Sequence, residues 1–162
     1  MKTLILMRHA KSDWSTGEES DHARPLNRRG RASALALGNW LRGKGWLPDQ
    51  VLCSTARRTR ETLAGLGLEV EADYRDALYH AEVEALLEAV RGATGGTVLI
   101  IGHNPGIGEL AERLVAEAPE HREFYNYPTG ATLVVRFGVD GWPEVGERTG
   151  EAVDFVVPRE LV

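Results

Sequence analysis

The chain contains one cysteine, Cys53, and no apolar run long enough to span a bilayer. A lone thiol cannot close an internal disulfide, so a reducing compartment is the expected setting. A membrane helix needs about 20 apolar residues in succession. Met1-Lys2 leads into a short apolar stretch rather than a secretory leader, so a cytoplasmic protein with no membrane contact is expected. Lysine is confined to Lys2, Lys11 and Lys44, and the 19 basic residues are outnumbered by 24 acidic ones, for a net charge of −5. That balance excludes the broad basic face that nucleic acids or anionic membranes require. Any anion site must come from a local concentration of arginine. Metal-binding patterns are missing too: there is no His-x-His, no His-Glu-x-x-His and no cysteine pair. Nor is there a phosphate-binding Gly-x-x-x-x-Gly-Lys-[Ser/Thr] loop or a Gly-x-Ser-x-Gly elbow. Neither a metal nor a cofactor is expected.

What is present fits a single domain over residues 1–162, with 43% hydrophobic and 27% charged residues. Thr3-Leu4-Ile5-Leu6-Met7 reads as a strand buried on both faces, and it ends in Arg8-His9. Ser12 to Arg24 reads as an exposed polar loop. Asn27 is placed to cap a helix whose apolar positions Ala32, Leu35, Ala36, Trp40 and Leu41 recur at helical spacing up to Gly43-Lys44-Gly45. Gln50-Val51-Leu52-Cys53 is a second buried strand ending in Ser54-Thr55, followed by a helix carrying Arg57, Arg58 and Arg60. An edge strand is expected within Leu66 to Ala72, and a helix over Ala81 to Arg91. Thr97 to Ile101 is the clearest buried strand, running into Gly102-His103-Asn104-Pro105-Gly106, and a helix follows with Ile107, Leu110, Ala111, Leu114 and Val115 facing inward. Thr132–Phe137 and Ala152–Val157 pair as closing strands. This alternation implies an α/β fold in three layers, α/β/α, with a mostly parallel sheet and an antiparallel edge.

Three buried strands therefore end in polar residues: Arg8-His9, then Ser54 with Arg58 a helical turn on, then His103-Asn104. In a parallel sheet such ends share one edge, where ligands of open α/β sheets collect. Two arginines and two histidines converging there form a phosphate cage, because guanidinium forks match phosphate oxygens and helix N-termini add N–H donors. One histidine in such a cage serves as a nucleophile or a proton shuttle. Cys53, inside an apolar run, reads as a small core side chain. His22 and His121 read as surface residues, and the four tryptophans as core or rim packing.

Four ordered blocks carry a resemblance. Leu6-Met7-Arg8-His9-Ala10-Lys11-Ser12 resembles the Arg-His-Gly signature of the histidine phosphatase (phosphoglycerate mutase-like) superfamily, in a form similar to its bacterial phosphohistidine phosphatase branch. Arg24–Gly30, Ser54–Thr62 and Gly102–Gly106 agree with it, and Pro128-Thr129-Gly130-Ala131 is similar to a later block. The resemblance implies a phosphoglycerate mutase-like fold and a phosphorylated nucleophile at His9. It further implies phosphate-clamping roles for Arg8, Arg58 and His103, and substrate contacts from Lys11, Ser12, Asn104 and Thr129. Ala10 replaces the family's commonest glycine, and Thr55 stands where proline is frequent. The glutamate that serves many members as a proton donor has no clear counterpart; His80 and Glu82 are the candidates in that region. A weak acid suits a labile donor, since an alkoxide leaving group depends on general acid catalysis worth roughly 10²–10⁴-fold. The expected activity is a metal-independent hydrolysis of phosphohistidine on a signalling protein. The alternatives are a phosphatase of a small phosphorylated metabolite and a non-catalytic phosphoprotein-binding module. An open site would suit a protein substrate, and a lid formed by residues 12–24 would suit a metabolite.

Overall fold

The protein was analysed as a computed structural model, which describes residues 1–14 and 20–162. Six strands form one sheet: β1 (Lys2–Arg8), β2 (Gln50–Ser54), β3 (Ala72–Arg75), β4 (Thr97–Gly102), β5 (Thr132–Phe137) and β6 (Glu151–Val156), in the order β3-β2-β4-β1-β5-β6. β1, β2, β3 and β4 run parallel, while β5 lies antiparallel to β1 and β6 antiparallel to β5. The mixed sheet with its antiparallel edge follows the sequence expectation.

Alternating side chains of each strand enter opposite layers. Leu4, Leu6, Val98, Ile100 and Leu133 pack with helices α3 (Val83–Arg91) and α4 (Gly106–Leu114) on one face. Ile5, Met7, Val51, Cys53, Leu99 and Ile101 pack with α1 (Arg28–Lys44) and α2 (Arg57–Leu66) on the other. Double-sided burial accounts for the continuous apolar runs of β1 and β4. Burial also pushes the Cys53 thiol up to about 12, so it is an inert core side chain. No helix among the described residues is long and apolar enough to cross a membrane.

The structure corrects three sequence expectations. The third strand is not within Leu66 to Ala72; α2 continues to Leu66 and β3 begins at Ala72, though it does sit at the sheet edge. The helix expected from Ala81 begins at Val83, after a left-handed residue at His80 (φ 50°). The buried face of α1 is Gly30, Ser33, Ala34, Leu37, Gly38 and Leu41, whereas Ala32 and Leu35 are exposed. The reason lies in close backbone packing. A Cβ on Gly30 would fall 2.0 Å from the Lys11 carbonyl oxygen, and one on Gly38 2.1 Å from that of Leu66. Small residues let α1 approach the segment after β1 and the end of α2, and a hydrophobicity pattern gives them little weight. Asn27 does cap α1, its Oδ1 accepting from Gly30 N at 2.8 Å.

Candidate active site

β4 lies between β1 and β2, so the carboxyl ends of all three open onto one patch of the sheet edge. Arg8 closes β1 opposite Gly102, and His9 N–H donates to the Gly102 carbonyl at 3.0 Å. Residues nearly a hundred positions apart become neighbours by strand pairing alone: the rings of His9 and His103 have centroids 5.3 Å apart. A pocket of about 200 Å³ collects Arg8, His9, Lys11, Ser12, Arg58, His103, Asn104 and Thr129 with His80, Asp21, Arg24 and Trp14. Every expected site residue except Glu82 lines it. Glu82 is the exposed N-cap of α3 and does not line this pocket; the preceding Ala81 carbonyl packs against Gly106 at the start of α4, which fixes Glu82 at the solvent-facing end of its helix.

Each ring nitrogen has a definite role. His9 Nδ1 lies 2.7 Å from the Ala10 carbonyl oxygen, which can only accept, so Nδ1 carries the proton and the Nε2 lone pair is free. Burial, reinforced by the charges of Arg58, Arg8 and Arg24 and only partly countered by the Ala10 hydrogen bond, holds His9 down at about 3. The ring is therefore neutral across the physiological range. His103 Nε2 lies 2.8 Å from Ser54 Oγ, and that oxygen already accepts from Ala56 N–H at 3.2 Å. Among the described residues no other acceptor is in reach of the fully buried Ser54 hydroxyl, so its proton goes to Nε2, leaving a proton on His103 Nδ1. Burial first, then the charges of His9 and Arg58, lower His103 to about 2.

The arginines are held from behind. Arg8 Nη1 donates to the Tyr127 carbonyl at 3.2 Å, as does Asn104 Nδ2 at 3.0 Å, and Tyr127 takes a left-handed backbone (φ 45°) to present that oxygen. Arg58 is almost wholly buried (1% exposed); its Nη1 donates to the Asp21 carbonyl at 2.7 Å and its Nη2 to Asp21 Oδ2 at 3.0 Å. Asp21 Oδ2 also accepts from the Tyr79 hydroxyl and lies 2.8 Å from His80 Nε2, while Oδ1 accepts from Arg24 Nε at 3.1 Å. Burial alone would raise Asp21. The hydrogen bonds from Tyr79, His80 and Arg58 reverse that and hold its carboxyl well below the usual carboxylate range. Arg24 Nη1 donates to Ser12 Oγ at 2.9 Å, and its guanidinium stacks over the exposed Trp14 ring at 3.4 Å.

Among the described residues, three buried side-chain polar atoms have no protein partner: Arg8 Nε, Arg58 Nε and His103 Nδ1. All three belong to this pocket. An unmet buried donor costs about 1–3 kcal/mol, so three in one place mark a site organised for an anionic ligand.

Sequence reasoning missed Asp21, Arg24, Tyr79 and Tyr127. Asp21 and Arg24 fall in the stretch expected to be an exposed loop, yet Ser12 and Arg24 are buried and Asp21 gathers much of the site's polarity. The part of that expectation concerning residues 15–19, and with it the question of a lid, lies outside the described residues. A carboxylate three positions before the Arg24–Gly30 block was the one available signal. His22 is half-buried, 3.0 Å from Thr55 Oγ1 and edge-on to Tyr79, and His121 is likewise half-buried, 2.7 Å from Glu160 Oε1.

Residues 4–83 match the family model described as histidine phosphatase superfamily (branch 1). The uncharacterized protein Rv1276c of Mycobacterium tuberculosis is 38% identical over 160 residues, covering 94% of this chain and 100% of that protein. The phosphohistidine phosphatase SixA of Escherichia coli is 30% identical over 125 residues, covering 72% of this chain and 76% of its own. A solved structure of a candidate phosphohistidine phosphatase SixA from Nakamurella multipartitia superposes with a TM-score of 0.86 at 34% identity, covering 97% of this chain and 96% of that one. The mixed sheet with helices on both faces is the phosphoglycerate mutase-like α/β architecture.

Proposed function

Because the chain belongs to the histidine phosphatase superfamily, we propose that it is a metal-independent phosphatase that works through a covalent phosphohistidine at His9 and acts on phosphohistidine in a protein. The observation that carries the reading is the set of three unmet buried donors, Arg8 Nε, Arg58 Nε and His103 Nδ1, around a histidine whose Nε2 lone pair is free.

In the first step His9 Nε2 attacks phosphorus and the bond from phosphorus to the leaving group breaks. The Ala10 carbonyl holds the Nδ1 proton and steadies the positive charge that develops on the ring. Arg8, Arg58 and His103 meet the charge on the transferring oxygens, the kind of preorganised stabilisation that dominates catalysis. In the second step water attacks the phosphohistidine, the P–N bond breaks, and the electron pair returns to Nε2 with release of inorganic phosphate. Four cationic side chains line the pocket, Arg8, Lys11, Arg24 and Arg58, and they oppose a divalent cation there.

The substrate class follows from the acid. Among the described residues Asp21 is the carboxylate that lines the pocket, and its donors keep it ionised, so it cannot protonate a departing alkoxide. His80, bonded to Asp21 and with its ring centroid 4.9 Å from that of His103, is the proton donor that the described residues offer. A leaving imidazole needs far less help than a sugar or serine alkoxide. A cytosolic setting accords with phosphohistidine signalling proteins and with one buried, unreactive thiol.

The test is phosphate release, with EDTA present, from a phosphohistidine protein, an aryl phosphate and several alkyl phosphates. We expect the first two to be hydrolysed far faster than the rest, and His9→Ala to release nothing measurable. Equal rates for His9→Ala and wild type would end the reading. A preference for an alkyl phosphate would transfer the activity to a small metabolite.

A further inference from the structure

A second cavity, of about 470 Å³, adjoins the phosphate pocket, and the two share Lys11 and Thr129 in their walls. Its other walls come from the first turns of α1, residues 123–129 and the segment after β6. The phosphate pocket, at about 200 Å³, is crowded by its cage, so whatever is attached to phosphorus must extend beyond it. The shared wall leads into the larger cavity.

The chemistry of that cavity is specific. Arg29 from α1 and Arg159 from the segment after β6 both line it and are solvent-exposed, together with Lys11. Among the described residues none of the three side chains has a hydrogen-bond or ion-pair partner, although Glu123 lines the same cavity. Most arginines near the site are committed: Arg24 and Arg58 to Asp21, and Arg31 to the Leu26 carbonyl. Arg29 and Arg159 are left free, and a free guanidinium beside a cavity presents a planar fork to a carboxylate. They come from two different elements, α1 and the segment after β6, so acidic groups entering the cavity meet a guanidinium from either wall. Pro128, Val157 and Pro158 supply an apolar floor between them, on which the stems of a peptide's side chains can lie.

We propose that this groove is a specificity subsite for acidic side chains flanking the phosphorylated histidine of a protein substrate. The proposal rests on the phosphatase reading of the adjoining pocket. It assigns Arg29 and Arg159 to substrate choice, and leaves the reacting atoms to the residues of the cage.

The experiment uses wild-type protein and peptides carrying a non-hydrolysable phosphohistidine analogue flanked by glutamate or by glutamine, with binding followed by fluorescence anisotropy. Turnover of p-nitrophenyl phosphate is measured in parallel. We expect the glutamate peptide to bind at least tenfold more tightly at low ionic strength, with the preference shrinking as salt screens the contact. In Arg29→Glu/Arg159→Glu the preference should disappear or invert while p-nitrophenyl phosphate turnover is unchanged. Equal binding of the two peptides by wild type overturns the subsite. So does a carboxylated alkyl phosphate that competes as strongly as the glutamate peptide, because the groove would then serve a small acid. Absence of p-nitrophenyl phosphate turnover in wild type counts against the phosphatase reading alone, since the peptide preference is read from binding.

Discussion

At the scale of single residues, the site is a set of charges held from behind. Arg58 makes two contacts to Asp21, and Asp21 is also shared with Tyr79, His80 and Arg24. Two consequences separate clamp from support. Arg58→Ala should lower kcat/KM by roughly 10²–10³, the cost of about 3–4 kcal/mol expected when one preorganised donor is lost. Asp21→Asn should cost less in the wild-type background and less again when Arg58 is already alanine, because part of its effect runs through the Arg58 Nη2–Asp21 Oδ2 contact. Steady-state kinetics on the two single variants and the double variant measure that coupling. Full additivity would mean that Asp21 acts independently of Arg58. His80→Gln should slow substrates with poor leaving groups more than aryl phosphates, and a series of phosphate esters graded by leaving-group acidity checks it.

Among the elements, α1 shows how far small residues decide packing. Gly38 and Gly43 belong to the same helix, but a Cβ on Gly38 meets the Leu66 carbonyl oxygen at 2.1 Å, whereas one on Gly43 meets nothing within 4 Å. Alanine improves intrinsic helix propensity at either place by about 0.8–1.0 kcal/mol. At Gly43 that gain should appear as a stabilisation. At Gly38 overpacking, typically about 1–3 kcal/mol, should outweigh it and destabilise the protein. Urea denaturation of the two variants gives the comparison, and equal effects would contradict the close approach of α1 to α2. The Asn27 cap is a smaller contribution, about 1 kcal/mol on replacement by alanine.

For the whole molecule, the buried histidines make stability depend on acidity. Both have native values lowered from 6.5, His9 to about 3 and His103 to about 2. Between these limits the unfolded chain binds protons that the native state refuses, so stability falls as pH falls below 6.5. Each such proton contributes a slope of about 1.4 kcal/mol per pH unit. Asp21, lowered from 3.8, adds a further loss of stability once pH falls below that value. Thermal unfolding from pH 7 to pH 4 should show a declining Tm, and His9→Asn/His103→Gln should flatten the decline. An unchanged slope in that variant would show that the pair is not buried neutral.

Much of this was open to sequence reasoning because it is local. The apolar runs of β1 and β4, the Asn27 cap and the polar residues closing each strand are short-range patterns. Parallel pairing then sufficed to place Arg8, His9, Arg58 and His103 on one edge. Properties that depend on contacts between distant segments were not open to it. The buried face of α1 is set by where the Lys11 and Leu66 backbones lie, not by hydrophobicity. The anchoring of Arg58 by Asp21, and of Arg8 and Asn104 by the Tyr127 carbonyl, joins residues up to 119 positions apart through single polar atoms. A backbone carbonyl is the same in every residue, so no sequence pattern announces which one will hold an arginine. The residue types in this chain determined the chemistry of the cage, and the tertiary structure decided which neighbours keep it charged, aimed and unfilled.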